Sequence, residues 1–296
     1  MVTKTAPKSK LEPLHSEKLA KLPWLVHAFS TRRGGVSRAY GGNALNLGVT
    51  KHDTPAAVER NRALFLKKLG IAQGHKTWPL ITLRQIHSDL IHRVDSPREQ
   101  SLAGDGLITN TPGLLLAIQT ADCLPVILAD RKNRAVGVFH AGWRGTVKRI
   151  VEKGIGEMHR NFGTDPRNLI AAIGPGVQGC CYQVGEEVRQ KFEMQFGYAA
   201  ELFREVKESD PVREKYPLLF LTARAPGHSE LPVSIYLDLV EANRRQLIDG
   251  GVLAKNIDAT SLCTACHTDL FFSHRAEKGI TGRLMAVAGI RPGQSA

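Results

Sequence analysis

Apolar residues recur along this chain in two rhythms, and each change of rhythm marks a change of element. Residues 55–69 (PAAVERNRALFLKKL) place Val58, Phe65 and Leu69 on one face at helical spacing, with Arg60 and Lys67 opposite. Pro55 suits the first turn of that helix and Gly70 the position just past its end. Residues 80–94 are rich in β-branched side chains and predict one or two strands. Residues 114–118 and 126–129 are short apolar runs of the kind buried strands show. The stretch DRKNR reads as a hairpin connection to a partner strand at 135–140, where Val136, Val138 and His140 share a face by period two. From 146 to about 161 the period returns to 3.6. Val147, Ile150, Val151, Ile155 and Met158 make one stripe, and Gly163 closes the helix.

Further along, NLIAAIGPG reads as a strand entering a turn. Residues 185–196 and 236–248 read as helices, the second closed by Gly250 and Gly251, and 257–259 and 283–290 as late strands. Nearer the start, VHAFSTRRGGVS reads as a short strand followed by an Arg-Arg-Gly-Gly turn, and GGNALNLG as loop. Residues 1–22 are polar and read as a flexible tail. Residues 201–230 are charged, carry Pro211, Pro217 and Pro226, and read as an irregular excursion. There is no repeat and no linker. Strands and helices mix without regular alternation, which predicts an α+β fold in one catalytic domain over residues 23–293, not a doubly wound sheet.

Composition narrows the partners. The chain has 296 residues, 42% of them apolar, and a formal net charge of +12. A basic balance favours anions. Much of the excess is scattered, with Lys4, Lys8, Lys10, Lys18 and Lys21 in the tail, and no basic stripe is interleaved with aromatics. A nucleic-acid partner is therefore not expected. No stretch approaches ~18 apolar residues, and the basic start is not followed by an apolar segment, so neither a membrane partner nor a secretory signal is expected. The expected location is the cytoplasm, where the five cysteines stay reduced. An odd number of reduced thiols points to metal binding or catalysis more than to a disulfide framework.

Three segments place a ligand-grade side chain at a strand end: RQIHSD with His87, TADCLP with Cys123 and FHAGWRG with His140. Two imidazoles and a thiolate suit zinc, with a fourth position left for water or substrate. Asp122 then has a reason to stand beside Cys123, as a carboxylate that orients a ligand or moves a proton. The same residues allow other readings. An isolated buried cysteine usually packs as a small hydrophobe. Cys123 and His140 also make a metal-free nucleophile and base. Copper is the less favoured metal, because its trigonal sites take an axial Met and Met285 is the one plausible candidate. CTACH, residues 263–267, matches a haem-attachment pattern that needs an exported chain. A second zinc site from Cys263, Cys266 and His267 lacks a matching partner pair. Anion-binding candidates are Arg32 and Arg33 on the Gly turn, Arg144 at a helix start, and His274 and Arg275 in FFSHR.

FSTRRGGVS, LNLG, Asn61-Arg62, QIHSD, DGLIT, TADCLPV, HAGWRG, CCYQVG and LFFSHR followed by TGR occur in an order that resembles the purine nucleoside phosphorylase family, formerly called laccase-domain or multicopper polyphenol oxidase proteins. The resemblance runs from about residue 24 to 292. It implies a single α+β domain with a central mixed β-sandwich flanked by helices, and zinc held by His87, Cys123 and His140. It implies a purine nucleoside and phosphate as partners, with phosphorolysis of adenosine, guanosine, inosine or methylthioadenosine and deamination of adenosine. Older family labels add copper-dependent phenol oxidation and the editing of muramyl-serine peptidoglycan precursors. Within it Asp122 is taken as the catalytic acid, and Arg144, Arg33, Arg275 and Asn46 as the residues that hold substrate or phosphate. Oligomeric state stays open.

Overall fold

Two sheets stack face to face, and the alternation of side chains along their strands builds three separate cores. The computed structural model describes residues 10–73, 76–97, 102–207, 215 and 233–293. One sheet runs Leu25–Phe29, Leu284–Ile290, Leu115–Thr120, Leu80–Ile81. The other runs Ile257–Ala259, Leu169–Ile173, Leu124–Asp130, Ala135–Ala141, Gly106–Thr109, Ile91–Arg93. Most pairings are antiparallel; the edge strands Leu80–Ile81, Ile257–Ala259 and Ile91–Arg93 pair parallel, and the edge strand Leu25–Phe29 pairs antiparallel. Leu116 and Ile118 of the first sheet meet Ile127, Val136 and Val138 of the second between the layers. Their neighbours Leu115 and Ala117 point the other way, against Phe65 and Leu66 of the helix Pro55–Lys68. Val126, Leu128 and Phe139 likewise face outward, against the helices Ile150–Phe162 and Leu239–Asp249. The protein is thus a single α+β domain with a mixed β-sandwich covered by helices on both sides, as the sequence predicts. Period-two alternation with both faces buried is what gives such strands their nearly continuous apolar character.

Several boundaries differ from the sequence reading. The stripe at 146–161 belongs to two helices, Trp143–Val147 and Ile150–Phe162, broken at Arg149, whose φ is 61°. The apolar spacing continues across the break, so periodicity alone does not reveal it. The start of the 236–248 helix is instead the strand Val233–Leu237, which buries Leu237; the helix begins after Asp238, whose carboxylate accepts from the N–H of Glu241. Its partner strand Phe203–Lys207 lies inside the expected excursion at 201–230, whose residues 208–214 and 216–230 fall outside the described residues. The Arg-Arg-Gly-Gly turn is an extended strand, Arg33–Ser37, locked by Asn61, which accepts from the N–H of Val36 and donates to the carbonyls of Ala44 and Asn46. The expected tail at 1–22 is tied down from residue 10 onward. Leu14 pairs with Phe29, Leu19 is fully buried, and Lys18 donates to the carbonyls of Lys255 and Ile257. Apolar contacts and backbone pairing outweigh the polar composition there; residues 1–9 lie outside the described set.

The sandwich positions the site through its ends. Between Leu115–Thr120 and Leu124–Asp130 the chain leaves one sheet and enters the other. Residues 121–123 make that crossing, and Asp122 takes a φ of 87° to do so. His87 sits between the short strands Leu83–Arg84 and Ile91–Arg93, also left-handed, with φ 56°. Non-glycine residues in this region carry strain that surrounding structure must offset. His140 stands at the end of Ala135–Ala141, whose outward face is held by Phe139 under Gly154 of the covering helix.

That contact makes a stability prediction with an internal control. A Cβ on Gly154 would come within 2.5 Å of the fully buried Phe139 ring, whereas one on Gly156 of the same helix would meet nothing within 4 Å. Gly154→Ala should lose about 1–3 kcal/mol in denaturant unfolding, through overpacking. Gly156→Ala should be neutral or gain up to about 1 kcal/mol, through helix propensity alone. Equal effects at the two positions would show that the helix does not rest on Phe139.

Candidate metal centre

His87, Cys123 and His140 converge. Their ligand atoms all lie within 4.8 Å of one another, and the two imidazole rings meet edge to face with centroids 4.9 Å apart. Glycine at 142 permits the approach, since a Cβ there would stand 2.9 Å from Cys123 Sγ. The residue that organises the group is Asp105, fully buried at the start of Gly106–Thr109. Its Oδ1 accepts from the His140 ring nitrogen Nδ1 at 2.8 Å and from the backbone N–H of His87 at 3.1 Å. Its Oδ2 accepts from the N–H of Ser88 at 2.5 Å and from the Ser88 hydroxyl at 2.7 Å. With Nδ1 taken, His140 has Nε2 left to offer, which is the usual arrangement of a metal-binding histidine braced by a carboxylate.

The charges are tightly coupled. Burial pushes the Cys123 thiol up, but the His140 charge and hydrogen bonds from His140 and His87 outweigh it and hold it down at about 6. Burial pushes His140 down, yet Cys123 and Asp105 together raise it to about 9. Asp105 is likewise opposed by burial but held at about 2 by His140 and Ser88. The free protein therefore carries a thiolate next to an imidazolium at neutral pH. Two imidazoles and a thiolate fit a borderline-soft divalent cation such as zinc. Met285 offers no axial ligand: it is buried with Val26, Ala28 and Leu115 on the face towards the helix Pro55–Lys68.

The three donors open on a cavity of about 800 Å³. Arg144, Arg275, Arg283, His274, Tyr182 and Trp143 are in its wall. The Arg144 guanidinium lies over the Trp143 ring at 4.5 Å, and that of Arg275 over Tyr182 at 5.3 Å. Burial and the nearby charges of Cys123 and Asp122 push the Tyr182 hydroxyl up, so it stays neutral. Asp122 is also in the wall, but it is not placed as an acid. One oxygen accepts from the Thr264 hydroxyl at 2.7 Å and the other from the backbone N–H of Arg275 at 2.7 Å. It braces the wall. Arg33 and Asn46 do not reach the cavity. Arg33 is exposed and pairs with Asp269. Asn46 is fully buried, donating to Asp53 and accepting from the N–H of Arg283, so it fixes Arg283 at one remove. Sequence reasoning missed Asp105, Tyr182 and Arg283. Each lies in a motif noted above (DGLIT, CCYQVG, TGR), but an aspartate opening an apolar strand is the one signal that composition offered.

A family model described as multi-copper polyphenol oxidoreductase laccase matches residues 26–291. A protein named purine nucleoside phosphorylase from Deinococcus radiodurans is 37% identical over 273 residues, which cover 91% of this chain and 91% of its own. A protein named adenosine deaminase RL5, from an unknown prokaryotic organism, is 32% identical over 84% of this chain and 88% of its own. The crystal structure of the Bacillus licheniformis hypothetical protein YfiH matches with a TM-score of 0.78 at 29% identity, over 97% of this chain and 98% of that one. Among the described residues no helix is long and apolar enough to cross a membrane.

Two predictions follow from the donor set. Asp105→Asn keeps the shape but removes the charge that holds the His140 ring and the His87 backbone; zinc affinity measured with a competing chelator should fall about 10–100-fold. The pH dependence has a definite sign. A cation must displace the extra proton of His140 below about pH 9, and below about pH 6 that of Cys123 as well. Through this pair, apparent affinity should climb roughly tenfold per pH unit between these values and more steeply below the lower one. A flat affinity from pH 5 to 9 would exclude ligation by Cys123 and His140.

Proposed function

The chain belongs to the family described as multi-copper polyphenol oxidoreductase laccase, and from that membership we propose that it is a zinc-dependent purine nucleoside phosphorylase that also deaminates adenosine. The observation that carries the reading is one cavity holding an imidazole–imidazole–thiolate set, two aromatic rings and three arginines together. Relatives named for phosphorolysis and for deamination support both halves.

His87, Cys123 and His140 would hold a divalent cation, which when bound would supply Lewis acidity at this end of the cavity. The chain's own residues do the rest. Tyr182 and Trp143, with the guanidiniums of Arg275 and Arg144 lying over their rings, give a purine a wall of π and cationic groups. Arg144 is the arginine best placed for phosphate. Among the described residues it pairs with no carboxylate, whereas the Arg275 guanidinium donates to the Gln183 carbonyl and that of Arg283 to the carbonyls of Thr281 and Gly282. Phosphorolysis forms a bond from a phosphate oxygen to C1′ of the ribose and breaks the bond from C1′ to the purine nitrogen, which takes up a proton. We assign that proton to His274, an imidazole in the wall outside the metal set. Deamination forms a bond from a water oxygen to C6 of adenine and breaks the bond from C6 to the amino nitrogen, which leaves as ammonia with one of the water's protons while the other stays on the product; it uses no phosphate.

The Asp105, His140 and Cys123 chain supports a second reading, a cysteine hydrolase. In that reading His87 serves only to stabilise the Cys123 thiolate by its hydrogen bond. Metal removal separates the two, since a dyad keeps its activity after chelation.

Incubation with adenosine and phosphate should yield adenine and ribose 1-phosphate, with inosine as the deamination product. Absence of all three from the zinc-loaded protein would overturn the proposal. Arg144→Ala should raise the KM for phosphate roughly 10–100-fold, as expected when a charge-assisted contact is lost. Adenosine deamination without phosphate should stay within about threefold, because no anion is bound.

A further inference from the structure

The four cysteines that this centre does not use also converge. Cys180 and Cys181 lie in the turn before Gln183–Val184, and Cys263 and Cys266 in the turn after Ile257–Ala259. Sulfur separations are 3.6 Å between Cys180 and Cys181, 3.7 Å between Cys180 and Cys266, and 3.3 Å between Cys181 and Cys266. All four sulfurs lie within 4.8 Å of one another. Four thiolates at about 2.3 Å from a tetrahedral zinc would stand about 3.8 Å apart. Hydrophobic packing does not account for the gathering, because Cys180 and Cys266 are exposed.

The backbone is arranged for a thiolate as well. The Cys263 sulfur receives the N–H of Gln178 at 3.5 Å, and those of Ala265 and Cys266 as well. Amide donors aimed at one sulfur favour its anionic form. The two turns are aligned by the parallel bridge of Gly176 with Cys263 and by the Thr264 N–H donating to the Gly176 carbonyl at 3.0 Å. Among the described residues His267 enters this arrangement through its backbone, which donates to the Cys263 carbonyl.

We propose that Cys180, Cys181, Cys263 and Cys266 form a second, closed metal site that takes a soft divalent cation of the zinc type. Binding replaces the thiol protons, which pass to solvent, and leaves no coordination position for substrate. The site acts as a clasp on the cavity wall. Tyr182 follows Cys181 directly, and Thr264, which donates to Asp122, follows Cys263. This inference does not depend on the purine reading, because its test reads metal and spectrum and not turnover.

Full-length protein prepared under a phosphine reductant should carry about two zinc equivalents per chain by elemental analysis, about one of which survives Cys123→Ser. Cobalt-substituted Cys123→Ser should show the intense thiolate-to-metal charge transfer and split d–d bands of a tetrahedral four-sulfur site. Adding Cys266→Ser to that chain should remove them and most of the remaining metal. The Cys123→Ser chain decides the matter even if the double variant fails to fold, since its four-cysteine cluster is intact. Cobalt binding without a sulfur charge-transfer band, no metal retained, or a disulfide among the four mapped in the reduced preparation would each overturn the proposal.

Discussion

One buried carboxylate sets the geometry on which the site depends. Asp105 holds the ring of His140 and the backbone of His87 with the same oxygen, and ties Ser88 with the other. A fully buried carboxylate is costly unless each lone pair is matched. Here the surrounding N–H groups and the imidazolium hold it well below the usual carboxylate range. Because His87 and His140 come from different segments, this one group converts two distant strand ends into a fixed pair. Cys123 then completes the set from the crossing between the sheets.

The sandwich explains why the donors meet at its end and not in its middle. Between the layers, Leu116, Ile118, Val136 and Val138 leave no room for polar groups. At the end of the layers the chain must pass from one sheet to the other, and the left-handed residues Asp122 and His87 mark where it turns. Strain of this kind persists where neighbouring contacts over-determine it. The Asp122 carboxylate, bonded to Thr264 and Arg275, supplies such contacts and links the crossing to the cavity wall. That wall also carries Arg283, fixed through Asn46, and Tyr182, which follows Cys181 directly in the chain. Asn46, which looks like a substrate contact in the sequence, thus braces Arg283 from behind the wall.

How much was legible follows from whether the signal is local. The helix Pro55–Lys68 shows in its spacing and its ends, with Thr54 accepting from Ala57 as the cap. The paired strands around 124–141 show as apolar runs joined by a polar hairpin. The break at Arg149 and the strand Val233–Leu237 do not, because neither interrupts the apolar rhythm. The misplacement of Arg33 has the same root: a guanidinium on a glycine-rich stretch looks alike whether it faces a ligand or, as here, Asp269.

The sequence by itself determined the class of fold, the rhythm of its strands and helices, and which three side chains have the donor chemistry for a metal. Those properties are carried by residue type and by spacing over a few positions. Only the tertiary structure decided which groups meet: Asp105 behind His140, Tyr182 and Arg283 beside Arg144 and Arg275, and Cys180 and Cys181 beside Cys263 and Cys266. Those encounters join residues tens of positions apart through sheet register and layer packing, and no local pattern in a single chain encodes such a distance.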